Sequence, residues 1–163
     1  MKSTKIFIQG ALVWLTQLLI SDLLAISTVR PDFCLVLIIY WSFQYNRSIA
    51  ILSGFLMGLI IDFSGVALFF GLSPLTYSLT CYLCSGLKNS RLQHNMLHFT
   101  LCWISIIFFQ FFIYCFVYYQ ELWDLNIKLF VINWLGTALY TLSFMGILQV
   151  IFPISRIYDV KSR

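Results

Sequence analysis

The sequence predicts an all-α integral membrane protein, about six transmembrane helices in a compact bundle with both termini cytoplasmic. Three observations carry that prediction. Hydrophobic residues make up 61% of the chain and charged residues 10%, against roughly 25% charged in a soluble domain, so there is too little polar surface to face water. Apolar runs such as Leu35-Val36-Leu37-Ile38-Ile39-Tyr40-Trp41 are continuous rather than alternating. That pattern excludes a transmembrane barrel and leaves helices as the way to satisfy the backbone in hydrocarbon. Finally, six spans of about 20 residues use roughly 120 positions, which leaves tails and short loops but no extramembrane domain. Residues 1–163 therefore form a single six-span domain. The net charge of +4 comes from basic residues placed singly or in pairs at loop positions, which argues for bilayer contact and against a nucleic-acid partner.

Charged residues and turn signals divide the chain. Lys2 and Lys5 precede an apolar stretch with no small-x-small cleavage site, so span 1 is expected to be a retained helix over about 6–29, with Asp22 in its final third. Arg30-Pro31-Asp32 is the next break, and proline is tolerated in the first turn of a helix, which starts span 2 near Pro31 and ends it near Tyr45. Asn46-Arg47-Ser48 turns the chain into span 3, about 48–62, ending at Asp62. A greasy outer loop from Ser64 to Gly71 follows, and Ser73-Pro74 marks the start of span 4, about 72–87. The polar stretch Lys88 to Asn95 leads into span 5, about 96–120, and span 6 covers about 127–154. On this partition Lys2, Lys5, Arg47, Lys88, Arg91, Arg156, Lys161 and Arg163 fall inside, and only Arg30 and Lys128 outside. The positive-inside rule then puts both termini in the cytoplasm. Trp41, Trp103 and Trp123 fall near span ends, where amphipathic rings settle.

Few residues suggest chemistry. Gly54 and Gly58 form a G-x-x-x-G that lets another helix approach closely, and Asp62 continues the stripe four residues on. The stripe points Asp62 at a neighbouring helix, and the antiparallel geometry of spans 2 and 3 suggests Arg30 as its partner. Cys81-x-x-Cys84 lies inside span 4, where a thiol is more often a small hydrophobe than a reactive thiolate. His94 and His98 are spaced to share one helix face, but no Cys, Asp or Glu nearby completes a metal site. No catalytic constellation, cofactor motif or charged ladder across the membrane is visible. Asp22, Gln17, Gln110, Asn133 and Gln149 read as polar groups that bond helix to helix.

Three stretches together resemble the MreD family of bacterial rod-shape-determining membrane proteins. They are Arg30-Pro31-Asp32 before a helix ending in Tyr40-Trp41, Gly54-Phe55-Leu56-Met57-Gly58-Leu59-Ile60-Ile61-Asp62, and Gly71-Leu72 with Leu75 entering span 4. Arg30, Pro31, Gly54, Gly58, Asp62 and Gly71 are thus the candidate structural residues, while catalytic, cofactor and metal residues are expected to be absent. The resemblance implies a non-enzymatic component of the cell-elongation machinery in the bacterial cytoplasmic (inner) membrane. It also implies a single-span partner, MreC, and through it a link between the filament protein MreB and the peptidoglycan synthases, RodA and its transpeptidase partner. A competing reading is a small-molecule-binding subunit of a transporter, which requires an outer-face cavity lined by polar groups from several spans. A thiol enzyme using Cys81 and Cys84 is the third.

Overall fold

The second helix of the fold is the one its neighbours enclose. A computed structural model describes residues 2–21, 23–25, 29–64, 69–88 and 96–151. Over these the elements are α1 (Lys2–Ile20), α2 (Phe33–Gln44), α3 (Arg47–Phe63), α4 (Leu72–Lys88), α5 (Met96–Tyr118), α6 (Gln120–Leu125) and α7 (Ile127–Ile151). Asp22, His94, residues 65–68, the 89–95 loop and the chain beyond 151 lie outside the described residues. α2 packs against α1, α3, α4 and α7. Its run of Cys34, Leu35, Ile38 and Ile39 has no exposed surface, as expected for a helix that is apolar on every side.

The interior mixes apolar and polar groups, and the surface is apolar where a soluble protein's is polar. Buried positions include Ser42, Thr76, Thr80, Gln110 and Thr141, while Phe7, Leu23, Leu125 and Val150 are 76–85% exposed. Exposed large apolar residues recur along α1, α3, α5 and α7, far beyond the scattered few that a water-facing surface carries. The buried hydroxyls bond back to their own helices: Ser42 to the Ile38 carbonyl, Thr76 to that of Leu72 and Thr80 to that of Thr76. α5 and α7 are long and apolar enough to cross a membrane.

Several extents differ from the sequence expectation, each for a local reason. α1 ends at Ile20, nine residues before the expected 29, and closes with turns from Ser21 N–H to Gln17 O and Leu24 N–H to Ile20 O. Ser side chains compete for backbone groups, and Ser21 is where the helix that hydropathy would continue gives way to a turn. α2 begins at Phe33 rather than Pro31 because Asp32 is its N-cap, the carboxylate accepting the Leu35 N–H at 2.8 Å. At 12 residues, it is only about 18 Å long. α6 was not expected at all. Trp41 and Trp103 face the core at 3% exposure rather than an interface, and Trp41 donates to Gln9 Oε1.

Candidate functional site

The G-x-x-x-G stripe is spent inside the molecule. α3 and α4 form the most intimate pair of helices, and the two glycines are why. A Cβ at Gly58 would stand 2.5 Å from Pro74 Cα and 2.6 Å from Ser73 C, inside the first turn of α4. At Gly54 it would meet Cys81 Sγ at 2.6 Å and the Tyr77 carbonyl at 3.3 Å. The stripe therefore seats α4 and presents no small-residue face to an outside helix.

Asp62 completes the same contact, by a route different from the expected one. The carboxylate is buried at 5% exposure, and its Oδ2 accepts the backbone N–H of Gly71 at 2.6 Å. Its Oδ1 has no hydrogen-bond partner. The turn sets up the bond to Gly71. Gly71 has φ +95°, a conformation open to glycine at little cost, and this aims its N–H back at α3 just before α4 begins. Beside it, Trp14 of α1 donates to Ser64 Oγ, which in turn donates to Ile60 O.

A second polar knot surrounds the Arg30-Pro31-Asp32 segment. Gln17 of α1 clamps it: Nε2 donates to Pro31 O at 3.1 Å and Oε1 accepts from Phe33 N–H at 2.8 Å. Asp32 caps α2 with Oδ1, while its Oδ2 accepts from the Tyr77 hydroxyl of α4 at 2.6 Å. The Asp32 N–H donates to Thr141 Oγ1 of α7. Four helices are thus joined at one short segment. The expectation singled out Arg30 and Pro31 and gave Gln17 a helix-to-helix role; Asp32 and Tyr77 join Gln17 and the Pro31 carbonyl in these bonds. A Pro-Asp pair just ahead of an apolar run was the available signal.

These two knots sit at one end of the bundle and border a cavity of about 640 Å³, lined from Arg30, Asp32, Ser73, Tyr77, Gln110 and Tyr114 among others. The last turns of α1, α3 and α5 and the first turns of α2 and α4 converge there. The opposite end is basic: Lys88 Nζ donates to Tyr45 O at 3.0 Å, and the Arg47 guanidinium lies 3.9 Å over the Tyr82 ring.

The remaining candidates do not gather into a site. Cys34, Cys81, Cys84 and Cys115 are buried, and all five thiols are free. Among the described residues no three His, Cys, Asp or Glu side chains are placed to hold a metal. His98 is exposed on α5.

Comparison with known proteins gives one match. No curated protein and no solved structure is significantly similar to the chain. Residues 4–158 match the family described as rod shape-determining protein MreD, an extent that takes in all but the first two residues of α1, all of α7 and everything between them. An all-helical, outwardly apolar bundle agrees with that match, and the chain belongs to the MreD family of rod-shape-determining membrane proteins.

Proposed function

We propose that the protein is a non-enzymatic component of the bacterial cell-elongation complex. In this reading it crosses the cytoplasmic membrane six times as a single domain, with both termini inside. It holds a single-span MreC-like partner, and through that partner serves MreB filaments, RodA and its transpeptidase. Family membership across residues 4–158 is the observation that carries the proposal.

The geometry supports the membrane topology in this reading. Arg47 and Lys88 gather at one end, while Arg30 lies at the other with the Asp62–Gly71 turn, as the positive-inside distribution requires. α1, α3, α4, α5 and α7 serve as spans directly. α2 is short for a bilayer of about 30 Å, but it is enclosed by its neighbours and reaches the surface through its flanking turns. Because the glycine stripe is consumed by α4, a partner must read other surface: the outward apolar faces, of which α1 and α7 offer the largest. Helix association in lipid rests on shape and van der Waals contact rather than on reactive groups, which suits a docking protein.

The test is gentle extraction of the tagged protein from its native host, with identification of what accompanies it. A single-span MreC-like protein together with cell-wall synthases is the expected recovery. Recovery of an ATPase pair with a second membrane subunit would instead assign the protein to a transporter.

A further inference from the structure

The cavity at the Asp32 end contains polar groups that the fold leaves unused. Gln110, in the middle of α5, is 3% exposed, and its Oε1 has no hydrogen-bond partner. Buried polar groups are rarely left without a partner, and Gln110 lines the cavity. Tyr114 and Tyr118 follow one and two turns further along α5, their rings stacked at 5.5 Å and 15°, and Tyr119 closes the edge. None of the hydrogen bonds of the described residues uses the Gln110, Tyr114, Tyr118 or Tyr119 side chains. By contrast, Gln17, Asp32 and Tyr77 are already committed to each other's segments. The wall therefore divides into a fixed polar frame and an open set of one amide and three phenols.

That open set defines its occupant. A purely apolar guest would leave Gln110 unpaired. A metal ion would find a single carboxylate, Asp32, whose two oxygens are taken. The charges on the wall, Arg30 and Asp32, are of opposite sign, which favours a neutral guest. Hydroxyl or amide donors for Gln110, and a ring with an apolar face for the tyrosines, are the features of a saccharide. A volume of about 640 Å³ falls within the roughly 300–1,000 Å³ of small-molecule sites. We propose that this cavity binds a neutral saccharide, free or as the headgroup of a glycolipid, with the Gln110 amide as its anchor. The proposal stands on the cavity and does not depend on the choice of protein partners.

The test uses the full chain in nanodiscs, since sugar-headed detergents would compete. Two probes are applied: N,N′-diacetylchitobiose in solution, and glucosyl-diacylglycerol doped into the disc, with phosphatidylglycerol doping as the control. Thermal unfolding and native mass spectrometry read the outcome. The expected result is saturable stabilisation by at least one probe, weakened at least tenfold by Gln110→Leu, with ligand-free Gln110→Leu as stable as the parent or more so. Tyr114→Phe, which deletes one hydroxyl, should weaken binding severalfold and covers the case in which Gln110→Leu misfolds. A response to the soluble disaccharide assigns a free sugar, and a response only to the glycolipid assigns a headgroup. The proposal is overturned by no saturable response to either probe, by equal response to phosphatidylglycerol, or by binding unchanged in both variants.

Discussion

Gly58→Ala adds one methyl group at the point where α3 and α4 touch most closely. The new carbon would lie 2.5 Å from Pro74 Cα and 2.6 Å from Ser73 C, about 1 Å inside ordinary carbon contact. Both are backbone atoms in a helical turn, so no rotamer change relieves the overlap and the helices must separate. Overpacking typically costs about 1–3 kcal/mol, and the helix preference for Ala over Gly returns about 1 kcal/mol. With backbone as the obstacle, the upper part of that range applies, and the net loss should be about 2 kcal/mol. Two other glycines calibrate the estimate. Gly54→Ala meets Cys81 Sγ at 2.6 Å, with the Tyr77 carbonyl at 3.3 Å; the worst overlap is with a side-chain atom, so the loss should be smaller and Cys81→Ala should restore most of it in the double variant. Gly146 on α7 has nothing within 4 Å of a built Cβ, so Gly146→Ala should gain up to about 1 kcal/mol from helix preference alone. The assay is denaturant titration of the protein in mild detergent, followed by tryptophan fluorescence. Equal stability of the Gly58 and Gly146 variants would refute the close-packing argument.

Further predictions follow from the two polar knots and the thiols. Asp62→Leu should lose about 1.5–3 kcal/mol through the charged hydrogen bond to Gly71, whereas Asp62→Asn, which keeps an acceptor, should lose much less in the same titration. Exchanging Arg30 and Asp62 should not rescue either single variant, because Asp62 Oδ2 is held by the Gly71 N–H; rescue would show that the two side chains pair. Asp32→Ala should cost about 1 kcal/mol or more as a lost cap, and adding Tyr77→Phe should cost little further, so a double-mutant cycle should show coupling. Replacing Cys81 and Cys84 together with Ala should leave cell shape unchanged by phase microscopy, since both are buried packing groups.

What the sequence revealed depended on the range of the interaction. Hydropathy found the helices because lipid exposure leaves a continuous local signal, and the spacing of Gly54, Gly58 and Asp62 placed the three on one stripe. What that stripe faces was not local. The partner of Asp62 is a backbone N–H nine residues away, made available only by the positive φ of Gly71, and no side-chain pattern encodes it. Antiparallel geometry placed the right ends together, and the hydrogen bond that Asp62 makes there is to backbone. Gln17 and Gln110 looked alike as polar residues within spans. The fold separates them, since one clamps Pro31 and Phe33 while the other faces a cavity. The cap of α2 was readable from Pro31-Asp32, where capping chemistry outweighs hydropathy.

The central claim, that the protein supports rod elongation through contacts rather than chemistry, is tested most directly by depletion in its native host. Cell shape and the site of new wall insertion are followed while the protein is withdrawn and then restored as a variant lacking all five cysteines. The account predicts rounding cells with loss of insertion along the side wall, and full recovery with the cysteine-free chain. Unchanged rods after depletion, or recovery that depends on the thiols, would contradict it.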